Sequence, residues 1–197
     1  GIYNGAEEGN IPTLNASLLS EDLPGEEVLL YLPQIVLTGC TVSKNSAYSG
    51  GGIYNESSME ITDSIISENY AQGNGGGIYS GGENDSPEFY ISISDDFPTK
   101  DGDGISVFAS EIKLSGCTVS GNETEGNGGG IFSTSKLEII NTSISSNTAA
   151  GSGGGISIGN GGDYREPELY LTDCTISNNS SSYGGGIYSS YSSIELI

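Results

Sequence analysis

Apolar residues along this chain fall in short runs that alternate with polar ones. Leu137-Glu138-Ile139, Leu169-Tyr170-Leu171 and Met59-Glu60-Ile61 read apolar-polar-apolar, the period of a strand with one buried face. No stretch offers a 3.6-residue apolar stripe of helical length. The runs are three to five residues long and are separated by Gly, Asn, Asp and Ser, which supply tight bends. The pattern predicts an all-β chain of very short strands, none able to bury its apolar edge alone.

The runs belong to a repeat. An apolar-x-apolar strand is followed by Cys, Ser or Thr, then (Val/Ile)-Ser-x-Asn, then Gly-Gly-Gly-Ile-aromatic. Clear copies run from Ile35 to Tyr54, Met59 to Tyr79, Ile112 to Phe132, Leu137 to Ser157 and Leu169 to Tyr188. Degenerate copies at 5–33 and 81–108 fill the gaps between them. The apolar residue after the glycines gives the markers Ile2, Val28, Ile53, Ile78, Ile105, Ile131, Ile156 and Ile187, spaced 26, 25, 25, 27, 26, 25 and 31 apart. Short strands, bends and a glycine corner recurring at one period describe the turn of a solenoid. The expected fold is a right-handed parallel β-helix of about seven coils of roughly 25–27 residues. The hand follows from the twist of parallel β units.

Within a coil, the Ile or Val after the glycines should point inward and the aromatic after it outward. Asn45, Asn69, Asn122, Asn147 and Asn179 occupy one site in five coils and should stack as a structural ladder. Tyr54, Tyr79, Phe132 and Tyr188 share another site. Such a column stabilises neighbouring coils, or offers aromatic surface for stacking on sugar rings.

The Gly-Gly-Gly-Ile blocks at 50–53, 75–78, 128–131, 153–156 and 184–187, paired with (Val/Ile)-Ser-x-Asn, resemble a known repeat. They are similar to the Gly-Gly-Ala-Ile and Phe-x-x-Asn repeats of chlamydial polymorphic outer-membrane proteins and related bacterial β-helical surface proteins. Val or Ile stands where that family prefers Phe, and Gly where it prefers Ala. The resemblance implies a β-helical passenger at the cell surface, engaged in adhesion or display.

Charge narrows the functions further. Five Lys and Arg stand against 26 Asp and Glu, a net charge of −21. Such a chain repels nucleic-acid phosphates and anionic lipid, so neither is an expected partner. No apolar run reaches the length of a membrane span. The expected partners are other copies or further coils of the solenoid, and a host-cell or matrix surface, glycans included.

Many β-helices act on polysaccharides, so a lyase or glycosidase is the alternative. Histidine is absent, and Lys44, Lys100, Lys113, Lys136 and Arg165 are scattered over different coils, with no constellation for proton abstraction. Paired carboxylates could serve hydrolysis, and Asp95, Asp96, Asp101 and Asp103 form the one acidic cluster that breaks the repeat. The same oxygen-rich loop suits Ca²⁺, the cofactor this sequence could hold. No other cofactor is expected.

Cys40, Cys117 and Cys174 share one site of the repeat, where Ser64 and Thr142 stand in other coils. Counted as three coils and two coils apart, they lie beyond disulfide reach and should be buried free thiols. Glycosylation sequons include Asn55 and Asn84, read as the loop positions best able to carry a glycan. The N-terminal Gly1-Ile2-Tyr3-Asn4 and C-terminal Ile194-Glu195-Leu196-Ile197 match complementary parts of one coil. Uncapped at both ends, the segment should continue into a longer repeat protein or stack end to end.

Overall fold

The computed structural model describes residues 1–4, 34–81, 89–91, 105–107, 111–159 and 167–197. These form a parallel β-helix with no helix among them. Each turn contributes strands to four sheets, named A to D in chain order. Sheet A holds the five-residue strands Gln34–Thr38, Ser58–Thr62, Glu111–Ser115, Lys136–Ile140 and Glu168–Thr172, then Ser193–Leu196. Sheet B holds Thr41–Ser43, Ile65–Ser67, Thr118–Ser120, Ser143–Ser145 and Thr175–Ser177. Sheet C is a narrow ribbon of Ser46–Ala47, Tyr70–Ala71, Glu123–Thr124 and Thr148–Ala149. Sheet D carries the marker residues: Ile2–Asn4, Ile53–Asn55, Ile78–Ser80, Ile131–Ser133, Ile156–Gly159 and Ile187–Ser190. All neighbours in these sheets are parallel and in register, as in Ile112↔Leu137 and Ile131↔Ile156.

Alternation places the core. Met59, Ile61, Ile112, Leu114, Leu137 and Ile139 face inward from sheet A, Ile66, Val119 and Ile144 from sheet B, and Ile53, Ile78, Ile131 and Ile156 from sheet D. Most of these side chains have no exposed surface, and each stabilises the fold by about 2–3 kcal/mol on burial. The intervening residues face out, which is why Glu60, Lys113 and Glu138 can occupy a strand without disturbing it.

The pairing corrects the coil count. Ile2 pairs directly with Ile53, and Ile78 directly with Ile131, so neither Val28 nor Ile105 is a rung between them. Among the described residues sheets A and D each hold six rungs, against the about seven coils expected. Residues 5–33 and 81–110 therefore connect strands of directly paired turns, and most of the degenerate copies at 5–33 and 81–108 lies outside the described residues. Within the second, Phe89–Ile91 and Ile105–Val107 pair antiparallel, Ile91 opposite Ile105, a hairpin pattern rather than a solenoid rung.

Two bends per turn share one backbone solution. Gly39, Asp63, Gly116, Asn141 and Asp173, between sheets A and B, all have φ between 48° and 64°. Lys44, Glu68, Gly121, Ser146 and Asn178, between sheets B and C, have φ between 54° and 64°. Seven non-glycine residues at these two bends thus accept the left-handed conformation where glycine fits best. Gly121→Ala isolates that strain, because a Cβ there meets nothing closer than 3.9 Å. It is expected to cost about 1 kcal/mol, seen as a small fall in the unfolding midpoint.

Candidate functional site

Immediately after each left-handed bend stands a ladder residue. At the B–C bend this is asparagine, and its amide joins three turns. Asn122 Oδ1 accepts the Asn69 backbone N–H at 3.1 Å and the Asn69 Nδ2 at 3.0 Å. Asn122 Nδ2 donates to Ile66 O at 3.0 Å and to Asn147 Oδ1 at 2.9 Å. The same bonds link Asn45 to Asn69 and Asn147 to Asn179. Asn69, Asn122 and Asn147 each offer the side-chain oxygen to the turn before and a donor to the turn after. Asn69, Asn122 and Asn147 are buried.

At the A–B bend the ladder residue is Cys40, Ser64, Cys117, Thr142 or Cys174. Ser64 and Thr142 hydroxyls accept the backbone N–H of the preceding turn, from Cys40 at 3.0 Å and Cys117 at 3.1 Å. Thiols and hydroxyls alternate, so each pair of successive cysteines is two turns apart, including Cys40 and Cys117. Two steps of about 4.8 Å exceed the roughly 7 Å between Cα atoms that a disulfide allows. All three cysteines are free, but only Cys117 is fully buried, with Cys40 and Cys174 half-buried. Burial pushes the Cys117 thiol up, and the thiol donates to the carbonyls of Ile61 and Ser115, each 3.3 Å from Sγ. A maleimide applied to the native protein should therefore label Cys117 last, as read by mass spectrometry. Above the ordinary thiol range the raised pKa also makes the fold lose stability as pH rises.

Sheet D carries the aromatics. Tyr54 and Tyr79 stack with centroids 4.7 Å apart and planes 3° from parallel, and Tyr79 and Phe132 follow at 5.3 Å. Tyr79 has both faces covered by its neighbours, so a sugar ring could stack only on the end of the column. Ser157 occupies the next rung and separates Phe132 from Tyr188.

A second, shorter amide ladder is written in the sequence as Gly-Asn-Gly-Gly-Gly at 73–77 and 126–130, and sequence reasoning passed over it. Asn74 Oδ1 accepts the Asn127 backbone N–H at 2.9 Å, and Asn127 Oδ1 accepts that of Ser152 at 2.8 Å. Asn55, read as an exposed sequon, has no exposed surface. Strand Ile53–Asn55 turns it inward, where Nδ2 bonds Ser57 O and lies 3.4 Å from Ser80 Oγ. It is not a glycan site in this fold. Asn84 and the quartet Asp95, Asp96, Asp101 and Asp103 lie outside the described residues.

Each lysine among the described residues faces a carboxylate. Lys136 Nζ lies 2.7 Å from Glu111 Oε1, Lys113 Nζ 3.5 Å from Glu138 Oε2 and Lys44 Nζ 3.6 Å from Glu68 Oε2. The Glu111 bond holds the Lys136 ammonium above its usual range, away from the neutral form a base requires. Tyr70 is likewise raised, first by its hydrogen bond to Glu125 at 2.6 Å. Among the described residues no group of three His, Cys, Asp or Glu side chains could hold a metal ion. What the described residues share is an architecture built turn upon turn.

Three stretches of the chain match the Chlamydia polymorphic membrane protein repeat. They span residues 39–56, 63–81 and 173–190. Each begins at the left-handed residue of the A–B bend, Gly39, Asp63 or Asp173, and closes at or just beyond a sheet D strand. Each matched stretch therefore comprises the thiol or hydroxyl rung, the asparagine rung, the triple glycine and the marker strand. The sheet A strand falls outside it. No curated protein and no solved structure matches the chain.

Proposed function

We propose that this chain is a non-enzymatic, surface-displayed segment of β-solenoid that serves adhesion, contacting a host-cell or matrix surface. The observation that carries the reading is that three stretches, in the first, second and fifth turns of one solenoid, match the polymorphic membrane protein repeat. Among the described residues the same structural groups recur from rung to rung, a pattern that suits display. Its charge of −21 directs it away from phosphate-rich partners.

The test is adhesion of beads coated with the protein to cultured epithelial cells, against beads coated with albumin. Binding above the albumin level is expected, and its absence overturns the reading. Incubation with polygalacturonate and related polysaccharides is expected to leave them intact. New reducing ends or unsaturated products would instead establish the polysaccharide-active alternative.

A further inference from the structure

Sheet B shows solvent a face unlike the rest of the solenoid. The Val or Ile at the centre of each three-residue strand turns into the core, so the residue on either side turns out. The parallel register stacks these into two columns. One reads Thr41, Ile65, Thr118, Ser143, Thr175, and the other is serine in all five turns, from Ser43 to Ser177. All ten positions are exposed or half-buried. Nine carry a hydroxyl, and among the described residues no other group bonds to these nine hydroxyls. The five strands hold no charged and no aromatic residue, whereas the strands of sheet A hold seven charged ones.

The spacing of these hydroxyls is fixed in both directions. Successive turns lie about 4.8 Å apart and alternate residues of a strand about 7 Å apart, which sets a regular mesh about 7 Å wide and 19 Å long. Each hydroxyl offers one donor and two acceptor sites, as a water molecule's neighbours require. The ligand that complements such a mesh is uncharged, flat and rigid, and is itself a lattice of donors and acceptors. A sugar ring stacks on an aromatic face and a protein partner is anchored by aromatic or Arg side chains, and this face has neither. We infer that sheet B is an ice-binding face, its mesh lying close to that of the oxygen rows on a prism face of hexagonal ice. Ile65 is the one break in it. Because core packing and both neighbouring turns hold the mesh before any contact, little order remains to be imposed on binding. An adsorbed solenoid pins the growth front, which then advances only as curved ice and freezes below its melting point. The inference stands apart from the adhesive reading, whose test uses cells and no ice.

The experiment measures the gap between melting and freezing of a single ice crystal in a solution of the full chain, together with partition of the protein into a growing ice front. A gap and enrichment in the ice are expected. Thr118→Lys and Ser145→Lys, made separately, each set a charge in the middle of the mesh and should shrink the gap at least about fivefold while far-ultraviolet circular dichroism is unchanged. Val36→Lys, on the exposed outer face of sheet A, is the control and should leave the gap as it was. A folded full chain that gives no gap and is excluded from ice overturns the inference. A gap that survives both lysine variants, or that Val36→Lys abolishes equally, overturns its assignment to sheet B. Binding to insoluble cellulose or chitin that the two variants abolish, with no gap in the parent, gives the face to a neutral polysaccharide and overturns ice as the ligand.

Discussion

Gly129→Ala is expected to destabilise the solenoid by at least about 3 kcal/mol, an outsized effect for one methyl group. Backbone strain is not the cause, since Gly128 and not Gly129 takes the positive φ, at 70°. The reason is proximity to the next turn. A Cβ on Gly129 would lie 2.5 Å from Gly154 O and 2.6 Å from Thr148 O, both backbone atoms of the next turn. Turns 3 and 4 would have to part along that corner. Since a solenoid's stability is a sum over neighbouring interfaces, the damage should stay local. Hydrogen exchange is the measurement: Gly129 and Gly130 N–H groups, bonded to Gly153 O and Gly154 O, should lose protection first. Uniform protection in the variant would contradict this account of the triple glycine.

Asn122→Ala should cost about 4 kcal/mol or more, read from denaturant unfolding. It removes the acceptor of two Asn69 donors and the donor to Ile66 O and Asn147 Oδ1, in a buried position. Each buried group left without a partner costs about 1–3 kcal/mol. Asn122→Asp separates the two halves of the amide's role. The carboxylate keeps the acceptor but sets negative oxygen against Ile66 O and Asn147 Oδ1. It should be at least as damaging at neutral pH and recover in part on acidification, because burial and those oxygens raise the carboxyl pKa and protonation restores a donor. If alanine is tolerated within 1 kcal/mol, the ladder is ornament to the fold.

Much of this was legible because repetition amplifies weak signals. One Val-Ser-x-Asn means little, but five of them before a triple glycine define a rung, and Asn45 through Asn179 stack where the spacing placed them. The insertions were missed for an arithmetical reason. Ile78 and Ile131 are 53 residues apart, close to two periods, and Gly104-Ile105 sits midway with the right local chemistry. Pairing is decided by which strand completes the register, and periodicity alone cannot see that. The residue preceding each asparagine looked variable because Lys44, Glu68, Gly121, Ser146 and Asn178 have nothing in common except φ. Asn55 misled for the opposite reason. A sequon is a three-residue fact, whereas its burial depends on strand Ile53–Asn55 closing against Ser80 in the next turn.

The asparagine ladder is a one-way sequence of bonds. Every backbone N–H in it reaches forward, Asn45 to Asn69 and on to Asn179, and none reaches back. Its two poles are therefore chemically unlike. At the Asn45 pole the exposed group is an oxygen, which here takes the Gly1 amine at 3.2 Å. Whatever abuts the Asn179 pole must bring an oxygen of its own. The direction of these bonds is the same at every rung from Asn45 to Asn179. The solenoid is thus polar along its axis, and that polarity is written in its side-chain amides.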